Sequence, residues 1–239
     1  MPRKYITVKY MGYIRWLGHA AFELYLDGYR VLIDPWLTNP LSPVTVNEYR
    51  DNVDLIIVTH DHSDHVGETV QLLKQNRGAR LVAVYELANH LAAKAGAQDR
   101  AIGANIGGPF EIPGTSLRVA LTPAQHSSSI GSPTGAIVFS KEAIVYHAGD
   151  TGLFAEMKLL GELYDIKVAL LPIGGHFTMD IVQAAKAVEM LRPDIVIPMH
   201  YNTFPLIKAD ADKFKKLVEE EKKLPAKVVI LKPGEKYEL

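Results

Sequence analysis

The sequence predicts an α/β fold of four layers, two mixed β-sheets packed together with helices outside (an αββα sandwich), and three observations carry that reading. Hairpin signals come first and strand–helix units come after them, and this order occurs in both halves of the chain. No Gly/Ser linker, low-complexity tract or short-period repeat divides the 239 residues, so one domain over 1–239 is expected. Apolar residues make up 48% of the chain, enough for a sizeable core without disulfides.

Taken in order, residues 14–17 read as a strand. Residues 22–26 and 29–33 flank Asp27-Gly28, a hairpin signal because a type I′ turn needs positive φ at both central positions. Residues 55–58, 81–84 and 117–121 read as further strands, and 136–139 with 143–146 as another hairpin. Strands are also expected at 168–171, 194–198 and 228–231. Helical patterns cover 68–74, 86–95, 154–163, 180–191 and 210–222. The last sets Phe214, Leu217 and Val218 on one face, and Asp180 or Thr178 is positioned to cap the helix before it.

Charge excludes some functions. The formal net charge is -1 and basic residues are spread through the chain, so no field draws it to nucleic acid or an acidic membrane. With no cysteine, disulfides, thiolate nucleophiles and sulfur-rich metal sites are ruled out; any metal must be held by imidazole and carboxylate. Residues 1–7 are basic without an apolar run of signal-peptide length, and no stretch reaches the length of a membrane span. A cytoplasmic protein is expected.

The residues just past the strands are the most informative. Five apolar runs end just before His60, His126, Asp150, His176 and His200 respectively. Rigid scaffolds place functional groups in such loops, and five arrivals by one rule are hard to explain as packing. The sharpest segment is Thr59-His60-Asp61-His62-Ser63-Asp64-His65, with three imidazoles and two carboxylates. In an extended or looped backbone His60 and His62 point the same way and share one ion, while Asp64 and His65 reach a second nearby. A solvated turn capping a helix is the plain alternative, but a turn has no reason to gather three histidines, and unpaired buried imidazoles are costly.

This His-X-His-X-Asp-His motif, with His, Asp and His after later strands, resembles the metallo-β-lactamase-fold hydrolases. Within them it is similar to a widespread group of metal-dependent hydrolases near the ascorbate-6-phosphate lactonases. The likeness extends over Trp16-Leu-Gly-His-Ala-Ala-Phe, Ile33-Asp-Pro-Trp, Tyr146-His-Ala-Gly-Asp-Thr, Pro172-Ile-Gly-Gly-His-Phe-Thr-Met and Pro198-Met-His. It implies that His60, His62 and His126 bind one metal, that Asp64, His65 and His200 bind a second, and that Asp150 bridges them. Every slot is filled. Two divalent ions per chain are implied, zinc first, with manganese, iron or nickel accepted by the same donors.

Other polar residues stay open. His176 either donates a proton to a leaving group, holds a substrate oxygen, or satisfies loop carbonyls; the glycine pair before it favours a functional role. His19 is placed to face the site or to pack beside it. Asp34 either fixes the tautomer of a ligand histidine or caps a strand. Asp61 either supports its loop or faces solvent. His147 reads as packed within its strand and His90 as a surface residue. Ser127 to Ser129 and Tyr201-Asn-Thr contact substrate or simply make turns.

The expected function is hydrolysis of a small ester-type substrate, a phosphodiester, lactone or similar, by a metal-bridging hydroxide. Asp64 would orient the attacking water and His176 would serve the leaving group. A nuclease of the same fold is one alternative, opposed by the neutral charge and the lack of a basic run. A di-iron redox or metal-dependent interaction protein is the other, opposed by the lack of room for a flavin-binding partner domain. The partner expected is a small molecule, with nucleic acid and membrane not expected; nothing in the sequence argues for or against self-association.

Overall fold

Residues 12–239 are described by the computed structural model; the basic segment 1–7 lies outside them. The chain begins with strand β1 (Tyr13–Trp16), then β2 (Phe22–Leu26) and β3 (Tyr29–Ile33). Asp27 and Gly28 take φ of 54° and 89°, the positive pair that the hairpin turn between β2 and β3 requires. Strands β4 (Leu55–Ile57), β5 (Arg80–Val84) and β6 (Ala101–Ala104) extend this sheet in parallel from β3.

The second half repeats the plan. Strands β7 (Phe110–Glu111), β8 (Arg118–Pro123), β9 (Thr134–Phe139) and β10 (Ile144–His147) are antiparallel neighbours. Strands β11 (Val168–Pro172), β12 (Ile195–Met199) and β13 (Lys227–Val228) continue the sheet in parallel. Strand β14 (Lys236–Glu238) crosses back to pair with β1, so among the described residues each sheet has seven strands, and both are mixed.

Period-two alternation sorts the strand residues between layers. Val31, Ile33, Leu55, Ile57 and Val82 join Val119, Leu121, Val138 and Val145 in the core between the sheets. Their neighbours Leu32, Ile56, Leu81 and Ala83 point the other way, into a second core with Leu72, Leu87 and Leu91. Those last three belong to helices α2 (Thr69–Gln75) and α3 (Tyr85–Ala95), which come after the single turn α1 (Ser63–Val66). Helices α4 (Met157–Leu163), α5 (Ile181–Leu191) and α6 (Ala211–Lys216) pack apolar faces against the second sheet's side of the main core. The expected four-layer sandwich is thus the observed one. The Asp180 carboxylate caps α5, accepting from the backbone N–H groups of Val182 and Gln183.

Some element boundaries differ from the sequence reading. Helix α6 stops at Lys216 and passes into a π-helical turn, Leu217–Glu221, with Phe214 and Val218 both buried. The strand expected at 228–231 is confined to Lys227–Val228. Among the described residues no helix is long and apolar enough to cross a membrane.

One buried carboxylate lies away from the strand ends. Glu23 is 2% exposed in β2 and accepts from the Tyr13 hydroxyl (2.6 Å), the Tyr49 hydroxyl (2.8 Å) and Arg30 Nε (2.9 Å). Burial pushes its pKa up, but these donors and the Arg30 and Arg15 charges outweigh that and hold it below the ordinary 4.5. A depressed folded-state pKa contributes stability above the unfolded value and loses it as pH falls through the folded one. Glu23→Gln is therefore expected to cost about 1.5–3 kcal/mol at neutral pH. The gap from wild type should close below pH 4.5. Thermal melts across pH check this, and a gap of constant size at every pH would count against it.

Candidate metal centre

The loops at one end of the two sheets carry the polar residues singled out from the sequence. Strand β4 runs into Thr59 and His60, and α1 presents Asp64 and His65 from a single turn. Strands β8, β10 and β12 lead to His126, Asp150 and His200. Sharp turns bring them inward: His19, Asp34 and His200 adopt left-handed φ of 53°, 48° and 54°. Such backbone is costly for side-chain-bearing residues and gathers at functional sites. Gly149 (φ 62°) is required next to Asp150, because a Cβ there would stand 2.5 Å from the Thr134 carbonyl oxygen.

Hydrogen bonds fix where the protons are. Asp34 is fully buried and its carboxylate accepts from Thr59 N (2.8 Å), the Thr59 hydroxyl (2.7 Å) and His65 Nδ1 (2.7 Å). Burial raises its pKa, yet the His65 charge and hydrogen bond hold it below the usual carboxylate range, so it is an acceptor only. His65 must then carry a proton on Nδ1, which leaves Nε2 as the ring nitrogen open to a second proton or to a cation. His65 Nε2 lies 3.3 Å from Asp150 Oδ1 and 3.9 Å from Asp64 Oδ2. Neither His65 Nε2 nor Asp150 Oδ1 has a hydrogen-bond partner, although both are buried.

Proton placement is fixed in the second cluster as well. The Thr59 hydroxyl hydrogen is committed to Asp34, so Thr59 Oγ1 accepts from His60 Nδ1 at 3.0 Å. His60 Nε2 is consequently bare and sits 3.0 Å from His62 Nδ1, which is also 3.3 Å from His126 Nε2. Three imidazole nitrogens converge where no carboxylate separates them. Burial, then repulsion from His65, depresses the His60 pKa to about 3, so a second proton is a poor remedy for that crowding.

These arrangements fit metal cations. His60, His62 and His126 form one group whose ligand atoms lie within 4.8 Å of one another; His19, Asp64, His65 and His200 form another; His60, His65 and Asp150 form a third that joins them. Asp150 is 3.0 Å from His200 Nε2 and 3.6 Å from His126 Nε2. Burial raises its pKa, but the His65 and His200 charges keep it well below the ordinary carboxylate range. On His65 the balance runs the other way: burial lowers its pKa while Asp150 and Asp34 raise it well above the usual value. A positive charge is thus favoured at Nε2, where a proton and a cation compete.

The structure resolves several of the open roles. His19 is buried, with Nε2 3.0 Å from Asp64 Oδ2 and Nδ1 2.9 Å from the Thr203 hydroxyl. Burial tends to raise the Asp64 pKa, yet the His19 hydrogen bond and the His65 charge hold it below the usual range. An ionised Asp64 requires the proton on His19 Nε2, so His19 positions Asp64. Asp61 turns away and accepts from the Ser128 hydroxyl (3.0 Å) and Ser129 N (2.9 Å), tying its loop to the one that carries His126. His147 is packed, donating from Nε2 to the Ala20 carbonyl (2.9 Å) and accepting at Nδ1 from Gly149 N (3.1 Å). His90 is partly exposed on α3.

His176 lies in the loop after β11. Its backbone is left-handed (φ 57°) and its side chain is exposed, edge-on to Phe177 at 4.3 Å. The cleft of about 310 Å³ above the cluster is lined by His62, Asp64, His126, Asp150 and His200 with Ser127, Phe177 and Phe204. The left-handed turn at His176 brings Phe177, one residue on, to the opening. His176 itself is not among the residues that line the cleft. A larger groove of about 440 Å³ beside Lys158, Lys186 and Arg192 contains no histidine.

Comparison with known proteins agrees with this geometry. Residues 29–201 match the beta-lactamase superfamily domain. A UPF0173 metal-dependent hydrolase of Hyperthermus butylicus is 68% identical over 229 residues, 95% of this chain and 100% of that one. The chain belongs to the UPF0173 metal-dependent hydrolases of the beta-lactamase superfamily. Another UPF0173 hydrolase, from Thermofilum pendens, is 57% identical over 95% of this chain and 99% of its own. A solved metallo hydrolase from Ignicoccus hospitalis superposes with a TM-score of 0.88 at 48% identity, covering 96% of this chain and 98% of that one. An isothiocyanate hydrolase from Delia radicum gut bacteria shares the fold at 18% identity, with a TM-score of 0.72 over 94% of this UPF0173 chain and 98% of its own.

Proposed function

We propose that this UPF0173 protein is a binuclear hydrolase of small ester-type substrates. The observation that carries the reading is the pair of ring nitrogens turned toward other ligand atoms, His60 Nε2 and His65 Nε2. Each ring is oriented through its Nδ1 by the Asp34–Thr59 unit, and each Nε2 faces other ligand atoms, His60 Nε2 at 3.0 Å from His62 Nδ1 and His65 Nε2 at 3.3 Å from Asp150 Oδ1. His60, His62 and His126 would hold one ion, Asp64, His65 and His200 a second, with Asp150 between them. Bound there, two divalent ions, zinc the first expectation, would supply Lewis acidity that polarises an ester oxygen and makes water a nucleophile near neutral pH.

The chain's own groups do the rest. Asp64 is the ligand carboxylate with appreciable exposure, its side chain 27% accessible against 3% for Asp150. Its Oδ2 is aligned by His19 Nε2–H, and so it can accept a hydrogen bond from attacking water at the edge of the cleft. A carboxylate held this far below its usual pKa orients water well and keeps a proton poorly, so the proton passes on to solvent. Phe177 and Phe204 limit solvent access to the cleft, which strengthens the electrostatic interactions inside it.

The test compares chelator-stripped protein with protein reloaded with zinc or manganese, on carboxylic esters, lactones and phosphodiesters. Turnover should be absent from the stripped form and restored by reloading in at least one class. Equal turnover before and after stripping, or none in any class after reloading, would overturn the reading.

A further inference from the structure

Two large apolar side chains stand exposed at the mouth of the metal cleft: Phe177 at 51% and Phe204 at 37%. Exposed apolar surface beside a cleft of polar ligands is where a ligand's apolar part is buried. Neither ring is a loose surface residue. Phe204 stacks on Trp36 at 5.9 Å with 29° between planes, and its ring lies 5.6 Å from His19, the residue that aligns Asp64. Phe177 is braced edge-on by His176 at 4.3 Å, on a turn closed by Phe177 N to the Gly175 carbonyl (2.6 Å) and tied down by Met179 N to the Thr151 carbonyl (2.9 Å).

The charge of the lining points the same way. Among the described residues no lysine or arginine lines the cleft, whose remaining polar wall residue is Ser127. A second anionic group on a substrate, away from the bond being cut, would find no cationic side chain there and would lose its hydration without replacement.

We infer that the cleft selects substrates whose group beyond the scissile bond is flat, apolar and uncharged, and that Phe177 and Phe204 hold this group from two sides. This rests on the hydrolase reading above and adds a substrate class to it. Holding the flat group fixes the distance from the reacting oxygen to Asp64, so it contributes to kcat as well as KM.

The experiment uses the metal-loaded protein and acetate esters of methanol, benzyl alcohol and 4-carboxybenzyl alcohol, with acid release monitored directly. kcat/KM should rise by about tenfold or more from methyl to benzyl, the scale of burying one ring, and fall by about tenfold when the carboxylate is added. Phe177→Ala and Phe204→Ala should each remove most of the benzyl-to-methyl ratio with metal content at the wild-type level. A flat series, a preference for the carboxylated ester, or a ratio unchanged in both variants would overturn the inference. A flat series joined to dimerisation lost in the same variants would make the rim a contact between copies of this chain instead.

A binding arm separates this inference from the hydrolase reading. Calorimetry with 2-naphthol and 6-hydroxy-2-naphthoate should show the neutral ligand binding wild type about tenfold more tightly than the Phe177→Ala/Phe204→Ala double variant, and more tightly than the acid. If no ester turns over and 2-naphthol still binds in this way, hydrolysis fails and the apolar subsite stands. Turnover of esters without such binding sinks the subsite alone.

Discussion

Asp64→Asn is expected to lower turnover on the best ester by about 10²–10⁴-fold, the range for losing an acid–base group, with the fold intact. The amide matches the carboxylate in shape and still offers an oxygen to His19 Nε2, now 3.0 Å from Asp64 Oδ2. It lacks the negative charge that orients attacking water and helps bind a cation. Little core is lost, because the Asp64 side chain is 27% exposed. Steady-state kinetics with circular dichroism check the result, and wild-type turnover in the variant would refute the role assigned to Asp64.

Asp34→Asn is expected to have the larger effect on the metal itself, although Asp34 is not a proposed ligand. The carboxylate accepts three hydrogen bonds, two from Thr59 and one from His65 Nδ1. An amide cannot accept them all. In one orientation its NH₂ faces the Thr59 N–H, and in the other it faces the Thr59 hydroxyl and His65 Nδ1. The second forces the His65 proton onto Nε2, where the ion would bind. Losing such a supporting partner typically costs about 10–100-fold in metal affinity. Unpaired buried groups should add about 1–3 kcal/mol of destabilisation. Chelator competition gives the affinity and thermal unfolding the stability; unchanged affinity would mean that Asp34 does not set the His65 tautomer.

The elements legible in the sequence were those with local signals. Asp27-Gly28 encodes its turn through two positive φ values, and Asp180 caps α5 through its own side chain. The ligand candidates were legible because each comes just after an apolar strand, a rule of chain order. Strands β6, β7 and β14 were not legible. They are short edge or near-edge segments, and β14 exists because Lys236–Glu238 finds β1 at the other end of the chain. Direction was also hidden: chain order places His176 at the right end of β11, but a left-handed φ at that residue decides that Phe177 lines the cleft. The aromatic rim left no mark for the same reason, since a phenylalanine in a loop has no periodicity to read. His19 was ambiguous until its two ring nitrogens had named partners, Thr203 and Asp64.

The Asp34–Thr59 unit, by fixing the rings of His60 and His65, would ready two clusters of donors for two cations sharing Asp150. Metal content bears on it most directly. Protein stripped with chelator, loaded with excess zinc or manganese and freed of unbound ion should contain two equivalents per chain by elemental analysis. Asp34→Asn, treated in parallel, should fall toward one, because His65 serves the second group. A wild-type ceiling of one equivalent under every loading condition, with a crystal structure placing Asp64 and His200 away from any ion, would contradict the claim.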